Sequence, residues 1–237
     1  MSKTVLCHAM RMHMLILLFA FNICFYASAQ NAIVSENTLT GSPSSEWDIT
    51  GAGDLSIQGF ATDISVNKGD NVHFKIDVTD ASAFTVKIYR LGYYQGNGAR
   101  LIANIPGSFN GTQQPSPITD AASGLIDCGN WSESLSWAVP STAVSGVYIA
   151  KLTKTAGGGS SHIFFIVRDD ASTSDLYFQT SDATWQAYNV YGGNSLYVGS
   201  APFANGHAAK VSYNRPIITR NGGGGGGVAE DGIFNAE

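Results

Sequence analysis

Few residues in this chain have the chemistry to make a site, and they are scattered. Cys7 and Cys24 lie in an apolar N-terminal stretch, which leaves Cys128 alone in Leu125-Ile126-Asp127-Cys128-Gly129-Asn130-Trp131. A thiol nucleophile needs a histidine partner and an activating environment. A free cysteine at a strand end and turn reads instead as a small buried residue. One cysteine forms no intrachain bridge and rules out the Cys…Trp…Cys framework of antibody domains. His73 and His162 sit on strands far apart, without zinc-ligand spacing, and read as ordinary strand residues. Tyr93 and Tyr94 occupy a glycine-rich loop, where neighbouring aromatics either stack on sugar rings or pack against an adjoining domain. The run Gly222–Gly227 has no Lys-Ser/Thr after it, only Val228-Ala229-Glu230-Asp231, so it is no phosphate cradle and reads as a disordered surface loop.

The densest concentration of functional side chains runs from Leu176 to Tyr197, LYFQTSDATWQAYNVYGGNSLY. Leu176-Tyr177-Phe178-Gln179 reads as a short buried strand. Thr180-Ser181-Asp182 supplies three residues suited to a helix start. Trp185, Tyr188 and Tyr191 follow at spacings of three, which predicts one face of a helical turn. Gly192-Gly193-Asn194 then stops it. Strand, polar cap, aromatic turn and glycine stop make the mouth of an α/β domain, where loops at strand ends build sites. The plainer reading, favoured on residue pattern alone, is a connection whose aromatics are core.

The elements that must position these residues follow from composition and periodicity. Of the residues, 44% are hydrophobic and 13% charged, with 27 glycines, a balance suited to an exported, loop-rich β protein. Net charge is −5 and no basic patch appears, which argues against nucleic acid as a partner. Residues 1–29 read as a signal peptide: Lys3 and Arg11, an apolar run Met14–Tyr26, then Ala27-Ser28-Ala29 before a cut at Gln30. The apolar run is short for a membrane span, and none is expected after its removal. The expected location is therefore secreted, periplasmic or cell-surface.

Residues 30–50 are polar and read as an extended lead-in. Over 51–170, strands arrive at short intervals: one beginning at Leu55, Ile57 and Gly59, then alternation at Val72-Phe74-Ile76-Val78 and at Phe84-Val86-Ile88. Leu101–Ile105 is expected to end at Pro106-Gly107. Strands follow at Ser136–Val139, Val147–Leu152 and His162–Val167, and Gly146-Val147-Tyr148 has the form of a tyrosine corner. About seven short strands predict a mainly β fold, an immunoglobulin- or fibronectin-like β-sandwich. Residues 169–174 form a polar linker, and Lys210–Tyr213 reads as a strand ended by Asn214-Arg215-Pro216. Two strands and one helix over 171–237 cannot cover their own sheet, so this part reads as the truncated start of an α/β domain.

Several motifs together resemble one family. These are Ser45-Glu46-Trp47-Asp48-Ile49, Ile57–Ser65, Ile88-Tyr89-Arg90-Leu91-Gly92-Tyr93-Tyr94, Ser145-Gly146-Val147-Tyr148 and Thr184-Trp185-Gln186-Ala187-Tyr188-Asn189. Gly192–Tyr197, Ser212-Tyr213-Asn214-Arg215-Pro216 and Phe234-Asn235-Ala236-Glu237 complete the set. From about residue 34 to the end, the chain resembles secreted bacterial proteins akin to the large (beta) subunit of N,N-dimethylformamidase. The resemblance implies a C-terminal domain similar to class I glutamine amidotransferases and an iron-dependent hydrolase of small amides. It implies a mononuclear iron held by two tyrosines and a glutamate. Tyr188 matches the first tyrosine, with Tyr191 as the alternative, and the other ligands are expected beyond Glu237. The hexaglycine departs from the family pattern. The competing expectation is a non-catalytic surface module that binds a polysaccharide.

Overall fold

The computed structural model describes residues 31–199 and 206–218. The expected signal peptide and its cut at Gln30, the glycine run at 222–227 and the expected helix start near Phe234 lie outside the described residues. The chain divides into two units, Met1–Ser35 and Glu36–Glu237. The architecture below belongs to the second.

That architecture is mainly β, as the alternating pattern predicts. The strands are β1 (Ile57–Ala61), β2 (Ser65–Asn67), β3 (Asn71–Val78), β4 (Phe84–Leu91), β5 (Ala99–Phe109), β6 (Ile118–Asp120), β7 (Leu125–Asp127), β8 (Leu135–Ala138), β9 (Gly146–Lys154) and β10 (Ser160–Arg168). They form a three-stranded sheet β1-β3-β8, a five-stranded sheet β2-β10-β9-β4-β5 and a hairpin β6-β7. All pairings are antiparallel except β2 with β10. Three short helices join them: α1 (Ala32–Asn37), α2 (Ser44–Trp47) and α3 (Asp182–Tyr188).

Alternation fixes which face each strand buries. Val72, Phe74, Ile76 and Val78 of β3 meet Phe84, Val86 and Ile88 of β4, with Tyr148, Ala150 and Leu152 of β9 and Ile163, Phe165 and Val167 of β10. These residues come from both larger sheets, so the sheets face each other across one core. Each fully buried aliphatic or aromatic side chain contributes roughly 1.5–3 kcal/mol here. The Tyr148 hydroxyl donates to the Val144 carbonyl at 2.6 Å, the tie expected of a tyrosine corner.

The outer face of the five-stranded sheet is covered as well. Tyr89, Ala99, Ile149 and Phe164 point away from the main core and pack under Trp47 and Trp185. Helices α2 and α3 thus form a further layer, and the Trp185 ring meets Phe164 edge-on at 5.1 Å.

Several expectations are corrected. The lead-in at 30–50 is not simply extended, since it carries α1 and α2. Trp47 supplies the reason at α2, sealing its apolar ring onto the sheet while its indole N–H donates to the Asn97 carbonyl. The strand through Leu101 does not stop at Pro106-Gly107. β5 runs to Phe109, with the pairing shifting between Phe84↔Phe109 and Val86↔Ile105. As the last strand of its sheet, β5 can accept a proline without losing a ladder hydrogen bond. Gly107, at φ +97°, takes the bulge.

Leu176–Gln179 forms no strand and is not buried: Leu176, Tyr177 and Phe178 are 90%, 86% and 71% exposed. Strand-forming residues need a neighbouring strand, and none is present among the described residues. Lys210–Tyr213 also fails to form a strand. Its hydrogen bonds go instead to the β6–β7 hairpin and α3: Ala209 N–H to Ser123 O, the Ser212 hydroxyl to Asp127, and the Tyr213 hydroxyl to Asp182. No described helix is long and apolar enough to cross a membrane.

Candidate functional site

Helix α3 is short, and its sequence explains both ends. Asp182 in the first turn complements the positive end of the helix dipole. The expected side-chain cap is absent: Ser181 makes no capping bond, and the Thr180 hydroxyl donates to the Asp182 carboxylate. At the other end Asn189 turns extended, at φ −64° and ψ 116°. Its buried side chain takes over the bonding there. Asn189 Nδ2 donates to Pro216 O at 2.9 Å, while Oδ1 accepts the Tyr191 and Ile218 N–H groups.

Because the helix ends at Tyr188, the three aromatics predicted to share one face part company. Trp185 is core against Phe164. Tyr191 lies beyond the helix, edge-on to Trp131 and packed on the cluster that holds Cys128. Burial pushes the Tyr191 phenol well above its ordinary pKa. Tyr188 stays partly exposed and stacks on Tyr197, with ring centroids 4.2 Å apart and planes 13° from parallel. The neighbouring Tyr197 phenol raises the Tyr188 pKa. Tyr191 is therefore half-buried and set apart from the surface pair, and the pair is Tyr188 with Tyr197.

Sequence reasoning missed Tyr197 as the partner, although its motif Gly192–Tyr197 was in view. The signal was the tight glycine turn. Gly192 holds φ +74°, and a Cβ there would lie 2.7 Å from Ile126. The turn sends the chain back along the helix, where Leu196 N–H donates to Ala187 O at 2.9 Å. Ser195 Oγ accepts the Tyr197 and Val198 N–H groups, and Ala208 N–H donates to Ser195 O. Tyr197 is thereby laid over Tyr188.

Behind the pair lies Arg215, which is fully buried. A shallow cavity beside it is lined by Phe60, His162, Gln186 and Tyr213, among others. Burial lowers the Arg215 pKa to about 10. The Tyr213 phenol is pushed up to about 12, by burial first and then by its bond to Asp182.

The other candidates separate cleanly. Cys128 is fully buried, and burial pushes its thiol up to about 12, the opposite of an activated nucleophile. His73 faces Glu133 at 3.0 Å on the surface, and His162 Nε2 lies 2.6 Å from the Trp47 carbonyl. Tyr94 is fully buried, its hydroxyl donating to Glu36 and accepting from Arg90, so of the two tyrosines in that loop only Tyr93 is exposed. A single exposed ring is a weak platform for sugar stacking. Among the described residues no three His, Cys, Asp or Glu side chains cluster to hold a metal ion. Hard oxygen donors close together remain at the Tyr188–Tyr197 pair, where two phenols could ligate a metal once ionised.

A family model described as "N,N-dimethylformamidase beta subunit-like, C-terminal" matches residues 85–233, from β4 through the tyrosine pair and onward. No curated protein matches. Solved structures with some likeness include a Pseudomonas fluorescens alkylpurine DNA glycosylase bound to abasic-site DNA, at 11% identity and TM-score 0.26. That match covers 48% of this chain and 30% of that one. The M1 domain of titin matches at 12% identity and TM-score 0.26, covering 50% of this chain and 98% of that one. A cellulose-active LPMO in complex with copper matches at 18% identity and TM-score 0.28, covering 46% and 54%. The chain thus spans under a third of the glycosylase's length, and likeness at this level carries no argument about function.

Proposed function

The chain belongs to the N,N-dimethylformamidase beta subunit-like family, and on that premise we propose that it is an exported, metal-dependent hydrolase of small amides. The Tyr188–Tyr197 pair marks its reactive region. The observation that carries this reading is the pair itself: two phenols stacked at the surface, in a body whose other described tyrosines are mostly buried or solitary. The fold we assign to 51–170 is an immunoglobulin-like sandwich, and the region from 171 onward is the start of an amidotransferase-like domain.

The donor chemistry of the pair fits ferric iron, since ionised phenols are hard, anionic oxygen ligands. When bound, such an ion supplies Lewis acidity toward an amide carbonyl or a water molecule. The chain's own residues do the rest. Tyr188 is the ligand of first choice, and Tyr197 holds its orientation by stacking on it. Each phenol must lose its proton to ligate, and the neighbouring Tyr197 phenol resists that loss at Tyr188. Iron uptake should therefore strengthen as pH rises.

The test is a ferric titration followed by the visible phenolate absorption. Tyr188→Phe should abolish the band and leave the fold intact, since the ring still stacks. A band that survives in both Tyr188→Phe and Tyr197→Phe would refute the assignment. Export has its own test: the exported protein should begin at Gln30, and an intact Met1 found by mass spectrometry would overturn it.

A further inference from the structure

We infer that Arg215 is a positioning residue that sets the Tyr188–Tyr197 pair, by gathering the backbone on both sides of it into one clamp. The inference takes its functional meaning from the reading of the pair as the reactive region. Its geometry stands independently of any metal.

Arg215 Nη2 donates to the carbonyls of Gln186 and Asn189, each at 3.0 Å. Nη1 donates to Asn194 O at 2.9 Å and to Tyr191 O at 3.3 Å. Gln186 and Asn189 bracket Tyr188, and Tyr191 and Asn194 bracket the glycine turn that returns the chain to Tyr197. One planar group thus joins the end of α3 to the loop that must come back over it. Among the described residues no ion pair includes Arg215. A buried charge without a carboxylate is expensive. What offsets it here is a set of charge-assisted bonds to carbonyls left free by a helix end and a turn. The side chain of Asn189 completes the clamp by holding Pro216 O and Ile218 N–H, in the segment that directly follows Arg215.

Only a planar fork can serve four carbonyls in this way. Lysine keeps the charge but offers three donors from a single point. Arg215→Lys should therefore leave the main core in place and release the pair.

The experiment is NMR on the full chain without metal. Two ring contacts are followed: Tyr188 with Tyr197, and Phe74 with Phe165 in the core, 5.6 Å apart in the fold. In Arg215→Lys the Tyr188–Tyr197 contact should be lost and the Phe74–Phe165 contact kept. Arg100→Lys, which alters a grip on Glu36 elsewhere, should change neither contact. A tyrosine contact that persists in Arg215→Lys overturns the inference. If Arg215→Lys loses both contacts, Asn189→Ala decides, since it loosens the same clamp while keeping the guanidinium. An undiminished tyrosine contact in Asn189→Ala would overturn the inference too. Absence of iron binding in the unaltered protein would defeat the metal reading and leave the clamp standing. Paired rings in Arg215→Lys would do the reverse.

Discussion

At the residue scale, burial decides what each reactive group can be. Cys128 and Tyr188 are both weak acids, yet one is sealed under Trp131 and Phe60 while the other sits at the surface. The Cys128 thiol ionises near 9.0 in an unfolded chain and at about 12 in the fold. The folded state therefore holds this proton more tightly. The associated stability is intact below pH 9.0 and is lost as pH rises toward about 12. Urea midpoints should fall between about pH 8 and about pH 10.5, and Cys128→Ala should make that fall shallower than in the unaltered protein. Identical slopes would show that Cys128 ionises as freely in the fold as outside it. The lone cysteine in a turn was readable as buried from sequence. Tyr197 was not readable as the partner of Tyr188, because a stacking partner nine residues away depends on where a glycine turn sends the chain.

At the scale of elements, the end of α1 and the stretch after it behave as a clip. Glu36 is buried between Arg100 and Tyr94, with an ion pair of 2.6 Å to the first and a hydrogen bond of 2.8 Å from the second. Asn37 accepts the Tyr93 N–H, the Gln95 side chain donates to Thr38 O, and Ser42 bridges to Ala99. The edge strand β5 and the loop before it are thus covered by chain that a sequence reading leaves as a lead-in. Glu36→Ala removes the carboxylate and strands a tyrosine hydroxyl and a guanidinium, which should lower stability by about 2–3 kcal/mol. A loss under about 0.5 kcal/mol in chemical denaturation would show that the clip is ornamental. The same scale explains the failure at Leu176–Gln179. β-propensity describes how a residue suits a pleated, half-buried surface, and these residues have no such surface beside them among the described residues.

At the scale of the whole molecule, the main core is built entirely from residues between Ile57 and Val167. A chain of residues 45–172 therefore has its central layer. It lacks the Glu36 clip, however, so a chain of residues 36–172 should melt higher. Thermal unfolding of the two followed by circular dichroism checks this, and equal midpoints would remove the clip from the stability argument. Both lack Trp185, so both should expose Phe164 and bind a hydrophobic dye more than the full chain does.

By itself the sequence determined the mainly β class, the faces of β3, β4, β9 and β10, the tyrosine corner at Tyr148 and the family. Those properties rest on period-two alternation and local motifs, which a linear reading contains. Tertiary structure alone decided that β5 passes through Pro106-Gly107, because only the sheet order makes it an edge. It alone parted Trp185, Tyr188 and Tyr191, because the helix that would align them stops one turn early. It alone joined Arg215 to the carbonyls around Tyr188 and brought Tyr197 onto that ring. Those contacts link residues whose spacing carries no period, and the energy that selects them appears only when a buried charge must find every carbonyl within reach.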